Sequence, residues 1–314
     1  MSPSLEAVDL TKRFGTFTAL DHLNLKIDGA KCVGFLGPNG AGKTTTLKMF
    51  TDLIFPSEGE AFINGISVQK DRKRALSDCG DLIETPEIYP SLTPLEALEM
   101  SGALRGMRPE EIRSRSAEVL AEVKMSDWVH QKVGRFSKGM KQRVNIAASL
   151  LSDPEVVILD EPSTGLDPRG MAEVRNIVRG LKKENRLIFM SSHILSEVVD
   201  ICDEVALIDH GKLLFYDSLS NVSKRLTGNA TSVQLSFVGP IGDDALASQV
   251  ATLPGVTGVT RLDAQRAKLM ITGGAAGQAQ VLERLAAAHL GLVSFEPSQS
   301  ALEELYLQEI SRGD

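Results

Sequence analysis

Alternating apolar and polar residues divide the first part of the chain into strands. Ala7–Leu10 and Leu23–Ile27 alternate in this way, which is the pattern of half-buried strands. Farther along, Ala61–Ile63 and Ile66–Val68 flank an Asn-Gly dipeptide, a strong signal for a two-residue hairpin turn. We therefore predict an antiparallel sheet near the start of the chain.

Three continuous apolar runs are typical of buried parallel strands, and they are Val33–Leu36, Val156–Leu159 and Leu187–Met190. A glycine-rich loop follows the first run, a pair of carboxylates follows the second, and a histidine lies shortly after the third. In open α/β sheets, ligands bind outside the carboxyl ends of the strands. We therefore expect these three groups to converge on one site.

Helical patterns dominate the span 92–152. Thr93–Glu96 combines an N-cap, a proline at the first helical position and a glutamate at the third. Leu95, Leu98 and Leu104 are expected to share one face of that helix, and Pro109 opens a second helix. Strands resume only after this span, which is therefore predicted to be a helical insert.

The last part of the chain has its own order of elements. After a linker predicted at 227–230, the apolar pattern indicates a strand, a helix, two strands, a helix and a strand. That βαββαβ order predicts a small α+β ferredoxin-like domain over residues 231–314, following a first domain over residues 1–226. A further helix is predicted from Ser300 to Ile310. No ligand-binding constellation stands out here, which favours a structural or interaction role.

The composition indicates two globular domains. With 314 residues, of which 42% are apolar, the chain is long enough for about two packed cores. Asp and Glu number 41 against 34 Lys and Arg, and the net charge of −7 argues against an extended nucleic-acid surface. Cys32, Cys79 and Cys202 lack the spacing of a zinc site or a disulfide framework. No apolar run approaches the ~18 residues that span a bilayer.

The glycine-rich loop Gly37–Thr45 fits the phosphate-binding pattern G-x-x-x-x-G-K-[ST] at every constrained position. Gly37, Gly40 and Gly42 are expected to adopt positive φ, which turns backbone N–H groups inward toward an anion. A plain strand-to-helix turn would not explain the lysine and threonine that end the pattern. The predicted nucleotide-binding residues of the loop are Gly37, Pro38, Asn39, Gly40, Ala41, Gly42, Lys43, Thr44 and Thr45.

Side chains at the ends of the three strands suit phosphate chemistry. Lys43 is expected to reach the β and γ phosphates of a nucleotide, and the Thr44 hydroxyl suits Mg²⁺, which binds oxygen ligands. Asp160 is predicted as a second metal ligand and Glu161 as the general base for the attacking water. His193 is expected to contact the γ-phosphate or that water. The alternatives are a solvated acidic pair and a structural histidine.

Together these motifs resemble the ATPase subunits of ABC transporters, and the likeness covers Leu5–Leu226. The motifs are individually moderate in specificity but very specific as a set. Besides the phosphate loop, the segments that carry the likeness are Phe14 (the adenine-stacking aromatic), Phe136–Arg143 (the signature motif), Leu159–Pro162 (the Walker B strand with its glutamate), Ser163–Asp167 (the D-loop) and His193 (the switch histidine). From the residue pattern alone, Phe14 is equally consistent with an aromatic packed under the first sheet.

The resemblance implies a fold and a mode of action. The fold is expected to be an α/β P-loop NTPase of the ABC ATPase type, with an antiparallel β-subdomain and a helical insert. In this family two ATPase domains pair head to tail, so Ser137 and Gly139 of the signature, with Asp167 of the D-loop, are expected to bind nucleotide. A plain N-cap is the alternative for Ser137. The implied cofactors are ATP and Mg²⁺, and the implied partner is a second copy in a homodimer.

The chain departs from the family pattern at three positions. Lys138 and Met140 replace the usual Gly and Gln of the signature. Glu84, in a predicted loop at Asp81–Pro86, stands where the family usually has Gln. An acid there resembles the bacterial drug and peptide-antibiotic exporters, including bacitracin-resistance types. Glu84 is predicted to ligate Mg²⁺ and to act in catalysis, with a surface loop acid as the alternative.

The leading hypothesis is an ATP-hydrolysing subunit of a bacterial exporter. We expect it at the cytoplasmic face of the cell membrane, coupled to a separately encoded multi-span permease and without a nucleic-acid partner. One alternative is a soluble ABC ATPase acting on ribosomes or nucleic acid, although the chain carries one ATPase unit and no sustained heptads. The other is a nucleotide-dependent regulatory or assembly protein.

Overall fold

A computed structural model describes residues 2–84, 87–182, 185–222 and 230–297. The chain divides into two compact units, Met1–Asp217 and Ser218–Asp314. This division falls slightly before the predicted boundary at residue 226. The predicted linker at 227–230 lies outside the described residues except for Ala230, which begins a strand. The helix predicted from Ser300 also lies outside them.

Strands and helices are numbered in chain order. Up to residue 218 the strands are β1 Ser4–Phe14, β2 Phe17–Asp28, β3 Cys32–Leu36, β4 Glu58–Ile63, β5 Ile66–Ser67, β6 Cys79–Leu82, β7 Val156–Asp160, β8 Leu187–Ser192, β9 Glu204–Asp209 and β10 Lys212–Ser218. The helices are α1 Lys43–Phe50, α2 Arg72–Ala75, α3 Pro94–Leu104, α4 Pro109–Glu122, α5 Lys138–Leu150, α6 Pro168–Leu181 and α7 Leu195–Ile201. Short 3₁₀ turns at Ser126–Trp128 and Val133–Arg135 lie between α4 and α5.

An antiparallel sheet forms the start of the first unit, as predicted, with the strand order β2-β1-β4-β5. The predicted hairpin turn joins β4 to β5, and Ile63 pairs with Ile66 across it. Asn64 and Gly65 have φ of 51° and 73°, and a type I′ turn requires positive φ at both positions. The turn residues therefore fix the register of this hairpin.

A six-stranded sheet carries the three continuous apolar runs, in the order β10-β9-β3-β8-β7-β6. β3 pairs in parallel with β8 and β9, and β7 pairs in parallel with β8 and β6. Every residue of β3, β7 and β8 is buried, which explains why their sequences show no polar alternation. The carboxyl ends of these three neighbouring strands lie at one edge of the sheet, as predicted.

Strand β6 corrects one prediction, because the sequence pattern predicted a loop at Asp81–Pro86. Cys79–Leu82 instead pairs in parallel with β7. The glycine and aspartate in its middle are poor strand formers, so its local pattern is weak. Glycine is needed at position 80 because a Cβ atom there would lie 2.0 Å from the carbonyl oxygen of Ser149 in α5. Tertiary packing thus overrides local propensity in this strand.

The core of the first unit is continuous between its two sheets and includes Leu23 of β2 together with Phe35 of β3. Phe50 of α1 packs edge-on against Phe189 of β8, with ring centroids 6.1 Å apart, and the ring of Phe35 lies 5.2 Å from that of Phe189. Each fully buried phenylalanine contributes ~1.5–3 kcal/mol of transfer free energy. The packing anchors α1 on the strands that carry the other site residues.

The predicted helical insert consists of α3, α4 and α5. Thr93 caps α3, since its hydroxyl accepts from the Glu96 N–H at 3.2 Å and the Glu96 carboxylate accepts from the Thr93 N–H at 2.7 Å. A cap of this kind typically contributes ~1 kcal/mol. The predicted leucine face is buried only in part, since Leu98 is buried but Leu104 is 82% exposed. The buried face of α3 ends instead at the small residue Gly102.

The second unit has its own sheet and core. Its elements are β11 Ala230–Phe237, α8 Asp243–Ala245 with a following π-helical turn Leu246–Val250, β12 Val256–Arg261, β13 Arg266–Thr272, α9 Gly274–Ala287 and β14 Leu292–Pro297. The antiparallel strands are ordered β12-β13-β11-β14. This βαββαβ unit has the predicted ferredoxin-like arrangement, and the alternating Val233, Leu235 and Phe237 lie in its core.

Within the described ranges, none of the helices is long and apolar enough to cross a membrane. The longest of those described, α4, α6 and α9, have 14 residues each, whereas a bilayer-spanning helix needs ~20.

Candidate functional site

The phosphate loop joins the end of β3 to the start of α1. Gly40 and Gly42 have φ of 85° and 102°, the left-handed region that glycine adopts without steric cost. The expectation for Gly37 is wrong, because its φ lies outside that region. Glycine is needed there for space instead, since a Cβ atom would lie 2.3 Å from the carbonyl oxygen of Ile208 in β9.

Lys43 lies inside the loop and is only 4% exposed. Its Nζ donates to the carbonyl oxygens of Gly37 at 2.8 Å and Pro38 at 3.0 Å, and it lies 3.4 Å from the Glu161 carboxylate. Burying an ammonium group is costly unless it is paired and hydrogen-bonded, and these contacts meet that need. The loop therefore holds a cation where an anionic ligand can meet it.

Asp160 ends β7 and faces the first turn of α1. The Thr44 hydroxyl lies 3.0 Å from Asp160 Oδ2 and 3.2 Å from Oδ1. Asp160 is 7% exposed, and the Ser191 hydroxyl donates to its Oδ1 at 2.6 Å. A hydroxyl and a carboxylate brought this close are the oxygen donors that Mg²⁺ prefers. The two side chains therefore fit a magnesium ion beside the phosphate loop.

The Glu161 carboxylate collects three contacts. It accepts from the Thr164 hydroxyl at 2.9 Å, lies 3.0 Å from His193 Nδ1, and lies 3.4 Å from Lys43 Nζ. Partial burial alone would raise the pKa of Glu161, but the hydrogen bond from Thr164 and the nearby His193 and Lys43 outweigh it and lower that pKa. The side chain is thus ionised at neutral pH and able to accept a proton.

Two aromatic rings lie beside the loop in a cavity of about 290 Å³. Phe14 and Phe17 are cross-strand neighbours at the end of the β1–β2 hairpin, with exposures of 52% and 62%. The same cavity contains Asn39, Thr45 and Glu161. Exposed ring faces next to an anion site offer a stacking surface for a planar base. Phe14 therefore lies beside the phosphate loop, and its stacking on a nucleobase stays a prediction.

Ala41, another loop residue predicted to bind nucleotide, is 2% exposed. Its N–H donates to the carbonyl oxygen of Pro38 at 3.2 Å, and its own carbonyl oxygen accepts from the Gly211 N–H at 3.0 Å. The first bond is internal to the loop, and the second ties the loop to the hairpin between β9 and β10. The loop shape is thus fixed by its neighbours as well as by its glycines.

The signature residues lie in a different cavity. Ser137 caps α5 by accepting from the Met140 N–H at 3.2 Å, and it lines a cavity of about 410 Å³ together with Gly139 and Asp167. Asp167 in turn caps α6 by accepting from the Gly170 N–H at 3.1 Å. Among the described residues, none lines both this cavity and the phosphate-loop cavity. The two motifs of one chain thus form separate surfaces.

Glu84 follows β6 and pairs with α1. Its Oε1 lies 2.5 Å from Lys48 Nζ, and its side chain is 65% exposed. The residue has φ of 59°, which is uncommon for a non-glycine residue. In this structure the Glu84 carboxylate is thus neutralised by Lys48, and a role toward magnesium stays a prediction.

Several side chains that shape the site cannot be found from motifs. Phe17 lies outside every motif, and its position opposite Phe14 in a short hairpin is the one sequence signal that points to it. Thr164 and Ser191 contact Glu161 and Asp160 only because of the local turn and the strand register. Such contacts depend on how the strands and turns pair in three dimensions, which residue spacing in the sequence does not predict.

Known proteins resemble this chain over much of its length. A model of the ABC transporter family matches residues 20–164. The chain is 42% identical over 226 residues to the bacitracin transport ATP-binding protein BcrA of Bacillus licheniformis, covering 72% of this chain and 73% of that one. It is 31% identical over 312 residues to the linearmycin resistance ATP-binding protein LnrL of Bacillus subtilis, covering 98% of each.

Solved structures agree with these relatives. One described as an ATP-binding subunit of an ABC transporter matches with a TM-score of 0.63 and 29% identity, covering 70% of this chain and 92% of that one. A dimeric post-hydrolysis structure of the ATP-binding cassette MJ0796, bound to ADP and Pi, matches with a TM-score of 0.61 at 24% identity, covering 68% and 98%, and supports the fold. This chain therefore belongs to the ATP-hydrolysing, ATP-binding proteins of the ABC transporter family.

Proposed function

We propose that the chain energises a bacterial exporter by binding and hydrolysing ATP, working with a separately encoded membrane protein. The observation that carries this proposal is the cluster of Lys43, Thr44, Asp160, Glu161 and His193 at one edge of the six-stranded sheet. The names of the relatives, which refer to bacitracin transport and linearmycin resistance, support export of an antibiotic-like compound.

The residues of this cluster would have different roles in ATP hydrolysis. The backbone N–H groups of the loop and Lys43 bind the phosphates, and the Thr44 and Asp160 oxygens hold Mg²⁺. When bound, that ion neutralises charge on the β and γ phosphates. Glu161 accepts the proton of the attacking water, and His193, 3.0 Å from Glu161, orients the carboxylate and the water.

A second copy of the chain would complete each ATP site. Within one chain, Ser137 and Gly139 line a cavity separate from that of the phosphate loop. The N-terminus of α5 carries a partial positive charge that suits a phosphate, and Ser137 is exposed there. In a head-to-tail homodimer, the signature of one copy faces the loop of the other. ATP would then close the dimer and hydrolysis would reopen it.

The surface around α3 is suited to the membrane partner. Tyr89, Met100 and Leu104 are 64%, 39% and 82% exposed, and Glu87 and Met100 line a cavity of about 260 Å³. Exposed apolar patches commonly mark interaction surfaces, and these side chains would contribute to one. This surface lies in the segment from Glu84 through α3, which would transmit movement at the ATP site to a docked permease.

Replacing Phe14 with alanine is expected to weaken ATP binding about tenfold, because base–aromatic stacking is typically worth ~1–3 kcal/mol. Binding of inorganic tripolyphosphate should not change, since Phe14 lies outside the phosphate loop. Calorimetric titrations with both ligands check this. A matched control is Phe55→Ala, which removes a 66% exposed ring that does not line the cavity. Equal ATP affinity in Phe14→Ala and Phe55→Ala would rule out a stacking role.

Replacing Glu84 with glutamine is expected to preserve ATP binding but to change hydrolysis or its coupling to transport. The change removes the negative partner of Lys48 and one charge near the expected metal. ATPase rates of the purified protein and transport rates with the permease should be measured together. If neither rate differs from the wild type, the Glu84 carboxylate has no special role.

Purification from native membranes tests the exporter proposal. The tagged chain should bring down a multi-span membrane protein, and vesicles containing both should accumulate a transported compound only with ATP. The Glu161→Gln variant should co-purify equally but fail to drive uptake. Recovery of ribosomal or nucleic-acid partners instead of a membrane protein would overturn the proposal.

A further inference from the structure

We infer that Ser191 is a positioning residue whose one buried hydroxyl binds the carboxylate of Asp160 and the backbone N–H of Glu161. Ser191 is fully buried in β8, and no motif marks it. The inference rests on the proposed function, because it concerns how the same site holds magnesium and its general base.

The register of the sheet brings Ser191 to both residues. Asp160 and Ser191 are direct partners in the parallel pairing of β7 with β8. The Ser191 hydroxyl donates to Asp160 Oδ1 at 2.6 Å and accepts from the Glu161 N–H at 2.9 Å. One hydroxyl therefore uses its single hydrogen on the first carboxylate and a lone pair on the backbone of the second residue.

The bond to Asp160 orients its carboxylate. With Oδ1 bound by Ser191 at 2.6 Å, Oδ2 is the oxygen nearer to the Thr44 hydroxyl, at 3.0 Å. The oxygen next to Thr44 is the one suited to share a metal with it. Without the hydrogen bond, the carboxylate could rotate about its last torsion, which is broad for aspartate. Ser191 would thus present a fixed carboxylate oxygen to a bound magnesium ion.

The bond to Glu161 supports an unusual backbone. Glu161 has φ of 43°, in the left-handed region that non-glycine residues seldom adopt. Its N–H donates to Ser191, and its side chain extends toward Lys43 and His193. Losing the acceptor would leave a part-buried N–H unpaired at the point where the backbone is strained. The Glu161 carboxylate would then lose its fixed position.

The neighbouring residue, Ser192, makes a different set of hydrogen bonds, so the contacts to Asp160 and Glu161 belong to Ser191 and not to both serines. The Ser192 hydroxyl donates to the buried carboxylate of Glu197 at 2.7 Å and accepts from the Ile194 N–H at 3.0 Å. Successive strand residues point to opposite faces. The two adjacent serines therefore act at two places: Ser191 binds Asp160 and the backbone of Glu161 at the end of β7, and Ser192 binds Glu197 and the turn after His193.

The test compares ATP affinity with excess Mg²⁺ and with EDTA in Ser191→Ala, by equilibrium dialysis of labelled ATP. Affinity in EDTA should match the wild type, while the gain from Mg²⁺ should fall about tenfold, as expected for one lost hydrogen bond to a charged group. Ser191→Cys, which fills the space with a weak donor, should behave similarly. The control is Ser149→Ala, which removes a buried hydroxyl that donates within α5.

The outcomes separate this inference from the proposed function. An unchanged Mg²⁺ gain in both Ser191 variants would overturn the positioning role. Equal losses of affinity with and without Mg²⁺ would also overturn it, because they would indicate a general structural effect. A wild type that binds and hydrolyses no ATP would instead overturn the proposed function.

Discussion

Replacing Glu161 with glutamine is expected to lower ATP turnover at least about a hundredfold while ATP still binds. The amide has nearly the same shape and can still accept from Thr164, but it cannot take a proton from water. The lowered pKa of Glu161 means that the wild-type carboxylate is ionised at neutral pH. The variant therefore removes the base and leaves the phosphate loop intact.

Phosphate release and size-exclusion chromatography with ATP measure this prediction together. The variant should accumulate as an ATP-bound dimer, since closure precedes hydrolysis in the proposed cycle. Glu118→Gln is a suitable control, because it removes a carboxylate that is half exposed and paired with Arg115 in α4. Robust ATP hydrolysis by the purified Glu161→Gln protein would refute the assigned base.

Replacing Lys43 with alanine is expected to reduce turnover roughly a hundredfold or more. The change removes the buried cation that lies between the loop carbonyls and Glu161. ATP binding should weaken as well, which separates this variant from Glu161→Gln in a titration. Lys26→Ala, at an exposed ion pair with Glu6, is the control for loss of a surface charge. Wild-type ATP affinity in Lys43→Ala would contradict its role.

Much of the fold could be predicted because the strong patterns coincide with burial. The runs that form β3, β7 and β8 are apolar throughout, and each is fully buried. The Asn-Gly hairpin and the Thr93 capping box depend on local chemistry, so both could also be predicted from the sequence. Strand β6 was not, because its Gly80 is selected by the nearby Ser149 carbonyl rather than by strand propensity.

Some residues of the site could likewise be predicted from the sequence, and others could not. Lys43, Thr44, Asp160 and Glu161 stand at fixed distances from strand ends, so motif spacing finds them. Ser191 depends on which residue of β8 faces Asp160, and that is a matter of register. Position 37 does require glycine, but not for the predicted reason. The lack of space beside β9 requires it, rather than a positive φ.

Two loss-of-function variants can test whether each ATP site is shared between copies. Lys43→Ala damages the phosphate loop. Ser137→Asp damages the signature, because aspartate still caps α5 as well as serine does but places a negative charge where a phosphate is expected. Each purified homodimer should be nearly inactive, since both of its shared sites contain one damaged half.

Mixing these two variants is the most direct measurement of the central claim, that the phosphate loop of one copy works with the signature of another. In a mixed dimer, the intact loop of the Ser137→Asp chain meets the intact signature of the Lys43→Ala chain, so one site is restored. The mixture should therefore hydrolyse ATP clearly faster than the sum of the two separate proteins. A rate equal to that sum would show that each chain completes its own site, and would contradict the account.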